Sequence, residues 1–314
     1  MRKKIYFIGT LPQPTGGVTI YNERKVKILS INHEVTVIQP RLNTLLDIAK
    51  IFLLTRNLVY ISTFNFIIVF LAVFLNLKNF YFIDHNTSRH IKSFNFIKKK
   101  ICLIFLKKSK KIILVSDHLV ENYKDFKFFR SLNFKIEEAF IPPNVIEKKN
   151  LIDRYYPDII KNKLGNRSII LASASKTNLD IYGNDIYSIK KTLISYSVLA
   201  SKYPNYLFVI AIAEFSNDDF GIEIKNMCKD LSNKCNNFVL LTNNTPIWPL
   251  FESSRLFLRI TTTDGDSVSL KEALFFDCPV LATDVVIRPN GTNLFNLEHD
   301  DLTIEVSKFL SGNK

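Results

Sequence analysis

Residues 256–274, LFLRITTTDGDSVSLKEAL, join a short apolar run to a helical pattern through a polar turn. The run at 256–261 predicts a buried strand, and the residues from Val268 onward predict a helix. A strand, a turn and a helix in this order form the repeating unit of parallel α/β sheets. If the unit recurs along the chain, the fold class is α/β.

The same alternation recurs along the 314 residues, a length typical of two domains. In the first half, strands are predicted at 4–9, 33–39, 58–62, 79–84, 110–116 and 137–141. In the second half, they are predicted at 168–173, 206–212, 237–242, 256–261 and 279–284. The pattern restarts after Pro142-Pro143-Asn144, and the charged stretch 147–166 indicates a join between similar domains. We therefore place one domain at residues 1–146 and a second at 147–314.

The net charge of +13 lies entirely in the first half of the chain. Residues 1–145 hold 23 Lys or Arg and 9 Asp or Glu, whereas residues 146–314 hold 19 and 20. A basic excess favours nucleic acid, an anionic membrane surface or a phosphorylated substrate as a partner. No recognisable nucleic-acid motif accompanies the charge, so nucleic acid is not expected as a partner.

Two segments of the first half raise the question of a membrane. Residues 58–77 contain no charge and are long enough to span a bilayer, but interspersed Ser, Thr and Asn favour a strand, a turn and a helix. The next helix, near 93–108, combines bulky apolar residues with the lysines Lys98, Lys99, Lys100, Lys107 and Lys108. Such a helix can lie in a membrane interface, or it can be a core helix with a solvated lysine rim.

Cysteine spacing and the N-terminal residues give no sign of export. The four cysteines have no CxxC spacing, which predicts neither a zinc site nor a disulfide framework. Only a short apolar run precedes Pro12, too short for a signal peptide. We expect reduced thiols and a cytoplasmic protein.

Two carboxylates, Asp264 and Glu272, stand eight residues apart across the quoted turn. The turn amides and the helix N-terminus can receive phosphate groups, while Glu272 can accept both hydroxyls of a ribose diol. Asp264, at the end of the strand, is placed to hold sugar hydroxyls. The spacing therefore suits a nucleotide sugar, although Ser269 and Glu272 also fit a capping box that needs no ligand.

The segment D-G-D-S-V-S-L-K-E at 264–272 resembles the E-G-F-G-L-P-x-x-E motif of retaining GT-B glycosyltransferases of family 4. The order of other elements is also similar. Further points of resemblance are Gly9-Thr10, Pro12, Pro14 and Gly16-Gly17, the FID strand before His85, Leu114-Val115-Ser116, and Ile141-Pro142-Pro143-Asn144-Val145. The resemblance implies two Rossmann-like, doubly wound domains that face a central cleft.

The resemblance also implies roles for individual residues. Glu272 would bind the donor ribose, Asp264 would bind the transferred sugar, and His85 would contact that sugar near the reacting carbon. Gly16 and Gly17 would let the first-domain loop approach the donor phosphate and the acceptor closely. The remaining donor contacts would come from Gly265, Asp266, Ser267, Val268 and Ser269, with Asp266 and Ser267 replacing the family's Phe and Gly.

The chain departs from the family at the cations that neutralise the leaving diphosphate. The family has an Arg and a Lys in the first loop of the second domain, where this chain has Lys176 and Tyr182. One positive charge is missing, and charge that develops on a leaving group needs stabilisation. Arg259 and Arg288 are the candidates to supply it, or they are surface or salt-bridged arginines.

These observations predict a cytoplasmic retaining glycosyltransferase at the inner face of the cell membrane. Its donor would be a nucleotide sugar, such as a UDP- or GDP-linked sugar, and its acceptor a lipid-linked oligosaccharide of surface polysaccharide assembly, as in O-antigen or capsule. No metal or other cofactor is expected. The metal motif of GT-A enzymes is an Asp-x-Asp at the end of a strand, whereas Asp264-x-Asp266 lies in the acidic turn. The alternatives are a GT-B sugar-nucleotide epimerase or phosphorylase, and a catalytically degenerate sugar-nucleotide-binding protein.

Overall fold

The computed structural model describes residues 2–12, 16–166, 168–180, 182–243, 245–264 and 267–312, apart from the side chain of His118. The chain divides into two compact units, Met1–Ile141 and Pro142–Lys314. The domain boundary expected from the sequence follows residue 146.

The first unit is a six-stranded parallel sheet with helices on both faces. Its strands are β1 (Lys3–Gly9), β2 (His33–Ile38), β3 (Leu58–Ser62), β4 (Phe80–Asp84), β5 (Lys111–Leu114) and β6 (Phe134–Ile136). Its helices are α1 (Gly17–Asn32), α2 (Leu45–Leu54), α3 (Phe66–Phe74) and α4 (Phe96–Lys108). The strand order is β2-β1-β3-β4-β5-β6, and side chains of α2, α3 and α4 share one core cluster. Side chains of α1 pack in a separate cluster with other strand residues.

The second unit repeats this plan. Its strands are β7 (Ile169–Lys176), β8 (Leu207–Glu214), β9 (Phe238–Leu241), β10 (Ser254–Arg259), β11 (Val280–Thr283) and β12 (Thr292–Phe295). Its helices are α5 (Lys148–Tyr155), α6 (Asp158–Lys161), α7 (Ile189–Lys202), α8 (Asp219–Lys234), α9 (Val268–Phe275) and α10 (Leu302–Ser311). The parallel strand order is β12-β11-β10-β7-β8-β9, which matches the doubly wound dinucleotide-binding arrangement. The α/β class with two Rossmann-like, doubly wound domains is confirmed.

Two strand predictions need correction. The strand expected at 137–141 is wrong: the sixth strand is Phe134–Ile136, where Phe134 packs against the rings of Tyr123 and Phe129. Beyond it, Glu137 and Ala139 still donate backbone hydrogen bonds to β5 and its continuation, so pairing persists without a regular strand. The edge strand β12 was missed because three of its four residues are not buried and give a weak apolar signal.

The uncharged segment 58–77 folds as the strand β3 and the separate helix α3. Within the described part of the chain, the helices are too short or too polar to cross a membrane. This agrees with the strand, turn and helix interpretation of the segment.

Candidate functional site

The ends of β7 and β10 flank the point where the strand order of the second sheet reverses. From β7 the chain builds outward to β8 and β9, then returns to the other side of β7 with β10. Ligands of open parallel sheets bind beyond the carboxyl ends of the strands at such a reversal. The Thr262 amide donates to the Ile186 carbonyl at 2.9 Å, which joins the segments that follow the two strands.

Asp264 lies at this position between two arginines. Its carboxylate accepts from Arg259 Nε at 3.0 Å and Arg259 Nη2 at 2.8 Å, and from Arg288 Nη1 at 2.7 Å. The Asp264 side chain is 6% exposed. Burial alone would raise its pKa, but the hydrogen bonds and charges of Arg259 and Arg288 outweigh burial, so the pKa of Asp264 is lowered. The carboxylate is therefore ionised and its two oxygens hold guanidinium groups.

The two arginines differ in what remains available to a ligand. Arg288 is 3% exposed, and besides Asp264 it donates to the carbonyl and hydroxyl oxygens of Thr283. All three of its guanidinium nitrogens are thus occupied. Arg259 lies over the ring of Tyr187, and its Nη1 makes no hydrogen bond to the residues that the structure describes. Arg259 is the better placed of the two to contact an anion.

Helix α9 follows the acidic turn and carries the second carboxylate. Its N-cap is Ser267, whose hydroxyl accepts from the Leu270 amide at 3.3 Å. Ser267 also contacts the hydroxyl of Ser269, and Val268 is the first helical residue. The capping box that the sequence allowed for Ser269 and Glu272 does not form, because the cap lies two residues earlier. Gly265 and Asp266 lie outside the described residues.

Glu272 is a buried carboxylate on the fifth position of α9. It is 4% exposed, and its charge adds to burial in raising the pKa of the Tyr156 phenol. A carboxylate so far from water must be held by polar or charged groups. Its place, just after the reversal of the sheet, is where a ribose diol could be bound.

Lys176 and Tyr182, the two candidate phosphate contacts of the first loop, occupy different surroundings. Lys176, the last residue of β7, pairs with Glu214 at the end of β8 at 2.7 Å. Tyr182 is exposed, and its amide donates to Asp180 in a tight turn. The structure thus keeps Lys176 at the strand end and turns the Tyr182 side chain to solvent.

A cavity of about 770 Å³ lies nearby in the second unit. None of the residues singled out from the sequence lines it. Its lining includes Ser188, Lys190, Lys191, Thr262, His299 and Thr303. No local sequence pattern indicated this cavity, because its lining comes from separate parts of the chain: the loop before α7, the starts of α7 and α10, and the segment after β10.

In the first unit, Gly16 is the N-cap of α1 and Gly17 is its first residue. Gly16 has an extended backbone, and a Cβ built there would meet no atom within 4 Å. The fold therefore does not itself require glycine at position 16. Residues 13–15, which include Pro14, lie outside the described part of the chain.

His85 follows β4 and lies near the reversal of the first sheet, between β1 and β3. Its Nε2 is 3.0 Å from the hydroxyl of Ser62, the last residue of β3. Ser62 in turn donates to Asn22 Oδ1 on α1 at 2.6 Å. Burial lowers the pKa of His85 to about 4, so the imidazole is neutral at pH 7. Sequence analysis missed Asn22 and Ser62, which have no motif of their own.

Comparison with known proteins shows similarity of fold. No family model and no curated protein matches the chain. Among solved structures, a glycosyltransferase from Rickettsia africae is 16% identical with a TM-score of 0.63, over 99% of this chain and 88% of that one. Anabaena HepE in complex with UDP and glucose is 13% identical with a TM-score of 0.59, over 99% and 90%.

A third similar structure is an α,α-trehalose-phosphate synthase (UDP-forming) from Burkholderia vietnamiensis, 12% identical with a TM-score of 0.61, over 100% of this chain and 92% of that one. At such identities the likeness establishes the fold. That fold is GT-B, built from two Rossmann-like domains.

Proposed function

We propose that this protein is a retaining glycosyltransferase that moves a sugar from a nucleotide-sugar donor to a saccharide acceptor. The observation that supports it best is the buried Glu272 on α9, directly beyond the point where the second sheet reverses. HepE and the trehalose-phosphate synthase, which share the fold, are described with UDP or as UDP-forming. We assign donor binding to the second unit.

In this proposal Glu272 accepts hydrogen bonds from the ribose diol, and the amides at the start of α9 face the donor phosphates. Arg259 contributes the cation that the family pattern lacks, through the guanidinium edge not used by Asp264. Asp264 enters as the carboxylate that orients Arg259, because both of its oxygens already accept hydrogen bonds. Lys176 and Tyr182 stay candidates for further phosphate contacts.

The reaction breaks the bond between the anomeric carbon and the phosphate oxygen and forms a bond from that carbon to an acceptor hydroxyl oxygen. The acceptor proton passes to the leaving diphosphate on the same face of the sugar. Negative charge develops on the diphosphate, where a guanidinium stabilises it most effectively. No metal ion takes part in this reaction, so turnover should persist in EDTA.

The donor assignment is tested by thermal unfolding with a panel of UDP-, GDP-, ADP- and dTDP-sugars. A ligand that binds only the folded chain stabilises it by about 2.7 kcal/mol at 100 times its Kd. One donor should raise the Tm, and Glu272→Gln should remove that rise, since the neutral amide offers one acceptor oxygen where the charged carboxylate offers two. Glu298→Gln, an exposed change in the same unit, should keep it. A rise that persists in Glu272→Gln would move the donor site elsewhere.

Product analysis separates the alternatives. An epimerase converts the donor without any acceptor, whereas a transferase releases nucleoside diphosphate with an acceptor-linked sugar. A phosphorylase needs inorganic phosphate. Donor binding that survives without turnover on any acceptor extract would indicate a degenerate sugar-nucleotide-binding protein.

We further propose that the acceptor is a lipid-linked oligosaccharide of surface polysaccharide assembly, met at the inner face of the cell membrane. Helix α3 has no charged residue and exposes an apolar stripe at Ile67, Phe70 and Phe74, the last 72% exposed. The neighbouring helices α2 and α4 expose further apolar side chains, which are Leu46, Leu53, Leu54, Phe96 and Ile97. Such a surface fits the boundary between lipid headgroups and acyl chains.

Charge around this stripe complements an anionic membrane. Residues 42–111 contain twelve Lys or Arg and two acidic residues. Among the described residues, none of the ion pairs of the first unit involves Lys98, Lys99, Lys100, Lys107 or Lys108. Each lysine near an anionic surface contributes about 1 kcal/mol to binding.

The double variant Phe70→Ser/Phe74→Ser should weaken binding to vesicles with anionic phospholipids by at least about tenfold, because each buried aromatic ring is worth about 1.5–3 kcal/mol. Vesicle cosedimentation at low salt measures this. Replacing the five lysines with Gln should weaken it as well. Ile222→Ser/Ile304→Ser, exposed positions of the second unit, is the matched control. Unchanged binding in both first-unit variants would exclude this surface.

A further inference from the structure

Three strand ends of the first sheet bring a polar chain of contacts to its reversal point. Asn22 Nδ2 donates to the carbonyl of Thr10, after β1, at 2.9 Å. Ser62 Oγ donates to Asn22 Oδ1 at 2.6 Å, and the same hydroxyl lies 3.0 Å from His85 Nε2. Asn22 and Ser62 are both buried. The four groups therefore form one continuous series that ends on the imidazole.

Elementary hydrogen-bond chemistry fixes every proton in this series. A backbone carbonyl can only accept, so the Asn22 atom facing Thr10 is the amide nitrogen and the other is the oxygen. That oxygen can only accept, so the single hydroxyl proton of Ser62 points to Asn22. The Ser62 oxygen must then accept from His85. His85 Nε2 therefore carries the proton, and Nδ1 has a free lone pair.

The surroundings hold the ring in this state. Burial keeps the imidazole neutral at pH 7, with a pKa of about 4. The ring of Tyr21 packs edge-on against His85, with 5.0 Å between the ring centroids. A Cβ added at Gly9 would come 3.0 Å from Asn22 Nδ2 and 3.1 Å from Ser62 Cβ. The absence of a side chain at position 9 therefore leaves room for Asn22 and Ser62.

The turn that carries His85 is also fixed. The buried Asp84 accepts from the Thr87 amide at 3.0 Å and from the Tyr123 hydroxyl at 2.8 Å. Asn86 adopts a left-handed backbone with φ of 73°. These contacts hold the backbone on both sides of His85, and Ser62 is the hydrogen-bond partner that orients its ring. Within the described residues, Nδ1 makes no hydrogen bond.

We propose that Asn22 and Ser62 are positioning residues that hold His85 in its neutral Nε2–H form, so that Nδ1 accepts a hydrogen bond from a hydroxyl of the bound sugar. The ligand part of this inference rests on the proposed function. The proton assignment does not, because it follows from the contacts of the chain itself. The opposite form would carry its proton on Nδ1, which could then only donate to the sugar hydroxyl, and it would leave Nε2 facing the Ser62 oxygen with no proton between the two atoms.

The form of the ring can be measured without turnover. In protein labelled with 15N-histidine, long-range 1H–15N spectra distinguish a protonated from an unprotonated ring nitrogen, and His85→Gln identifies the His85 signals among the five histidines. At pH 7 we expect unprotonated Nδ1 and protonated Nε2. Ser62→Ala should give a mixture of both neutral forms. Ser30→Ala, which removes a hydroxyl bonded to the Val26 carbonyl on α1, should leave the spectrum unchanged.

In transfer assays, Ser62→Ala should lower kcat about tenfold, the effect of one misplaced hydrogen bond, while Ser30→Ala should not. An Nδ1–H or charged His85 in the unmodified protein would overturn the proton assignment. A correct form together with unchanged kcat in Ser62→Ala would overturn the positioning role. Absence of any transfer by the unmodified protein would instead count against the proposed function and leave the spectroscopic result standing.

Discussion

Replacing Asp264 with asparagine is expected to lower the free energy of unfolding by about 3–5 kcal/mol. The substitution removes the negative charge between Arg259 and Arg288, and Arg288 is only 3% exposed. A buried guanidinium without its counter-charge pays a desolvation cost that a neutral amide does not repay. Urea denaturation of the full chain measures the difference.

The matched control is Asp158→Asn, because the Asp158 side chain is 91% exposed and pairs with Lys161 at the surface. An exposed pair of this kind contributes little, so the control should unfold close to the unmodified protein. A loss in Asp264→Asn no larger than in the control would show that the arginines find other partners.

Asp264 also makes the free energy of unfolding depend on pH. The pKa of Asp264 is lowered in the folded chain from an ordinary value of 3.8. Its stabilising contribution is therefore complete above about pH 4 and is lost as the pH falls through the lowered folded-state pKa. The gap in unfolding free energy between the protein and Asp264→Asn should narrow below pH 4. A gap that stays constant down to pH 2 would contradict the assignment.

Arg259→Gln is expected to lower kcat by about 10²–10³-fold, the usual effect of losing one group that stabilises charge in the transition state. Arg259 is the arginine of the pair with a guanidinium nitrogen to spare, whereas all three nitrogens of Arg288 are occupied within the described residues. Steady-state kinetics with the donor identified by thermal unfolding would measure the change.

Arg255→Gln is the control for this experiment, because Arg255 lies on the same strand but donates to the Phe309 and Gly312 carbonyls. It should change stability more than kcat. Arg259→Gln must be assayed where it is folded, since it also removes a partner of Asp264. A folded Arg259→Gln with kcat within about threefold of the unmodified protein would assign the missing cation to another residue.

Much of the architecture could be predicted from local patterns. Apolar β-branched and aromatic runs predicted ten strands close to their observed positions, from KIYFIG at 4–9 to PVLATD at 279–284. The failures were at sheet edges. Strands β6 and β12 are short and largely unburied, so their residues are under little pressure to be apolar.

The candidate site was predictable as a list of residues but not as a set of contacts. The motif at 264–272 indicated Asp264 and Glu272, and the missing family cation indicated Arg259 and Arg288. Nothing in the sequence paired Asp264 with both arginines, and nothing indicated Ser267 in place of Ser269 as the cap of α9.

By itself the sequence determined the fold class, the repeated strand and helix units and the position of the acidic turn, because these depend on periodicity over a few neighbouring residues. Only the tertiary structure decided which side chains meet. Strands β10 and β11 are adjacent, which brings Arg288 to Asp264 across 24 residues. Strands β1, β3 and β4 are also neighbours, which brings Ser62 to His85. Strand order is set by packing of the whole sheet, and no local pattern encodes it.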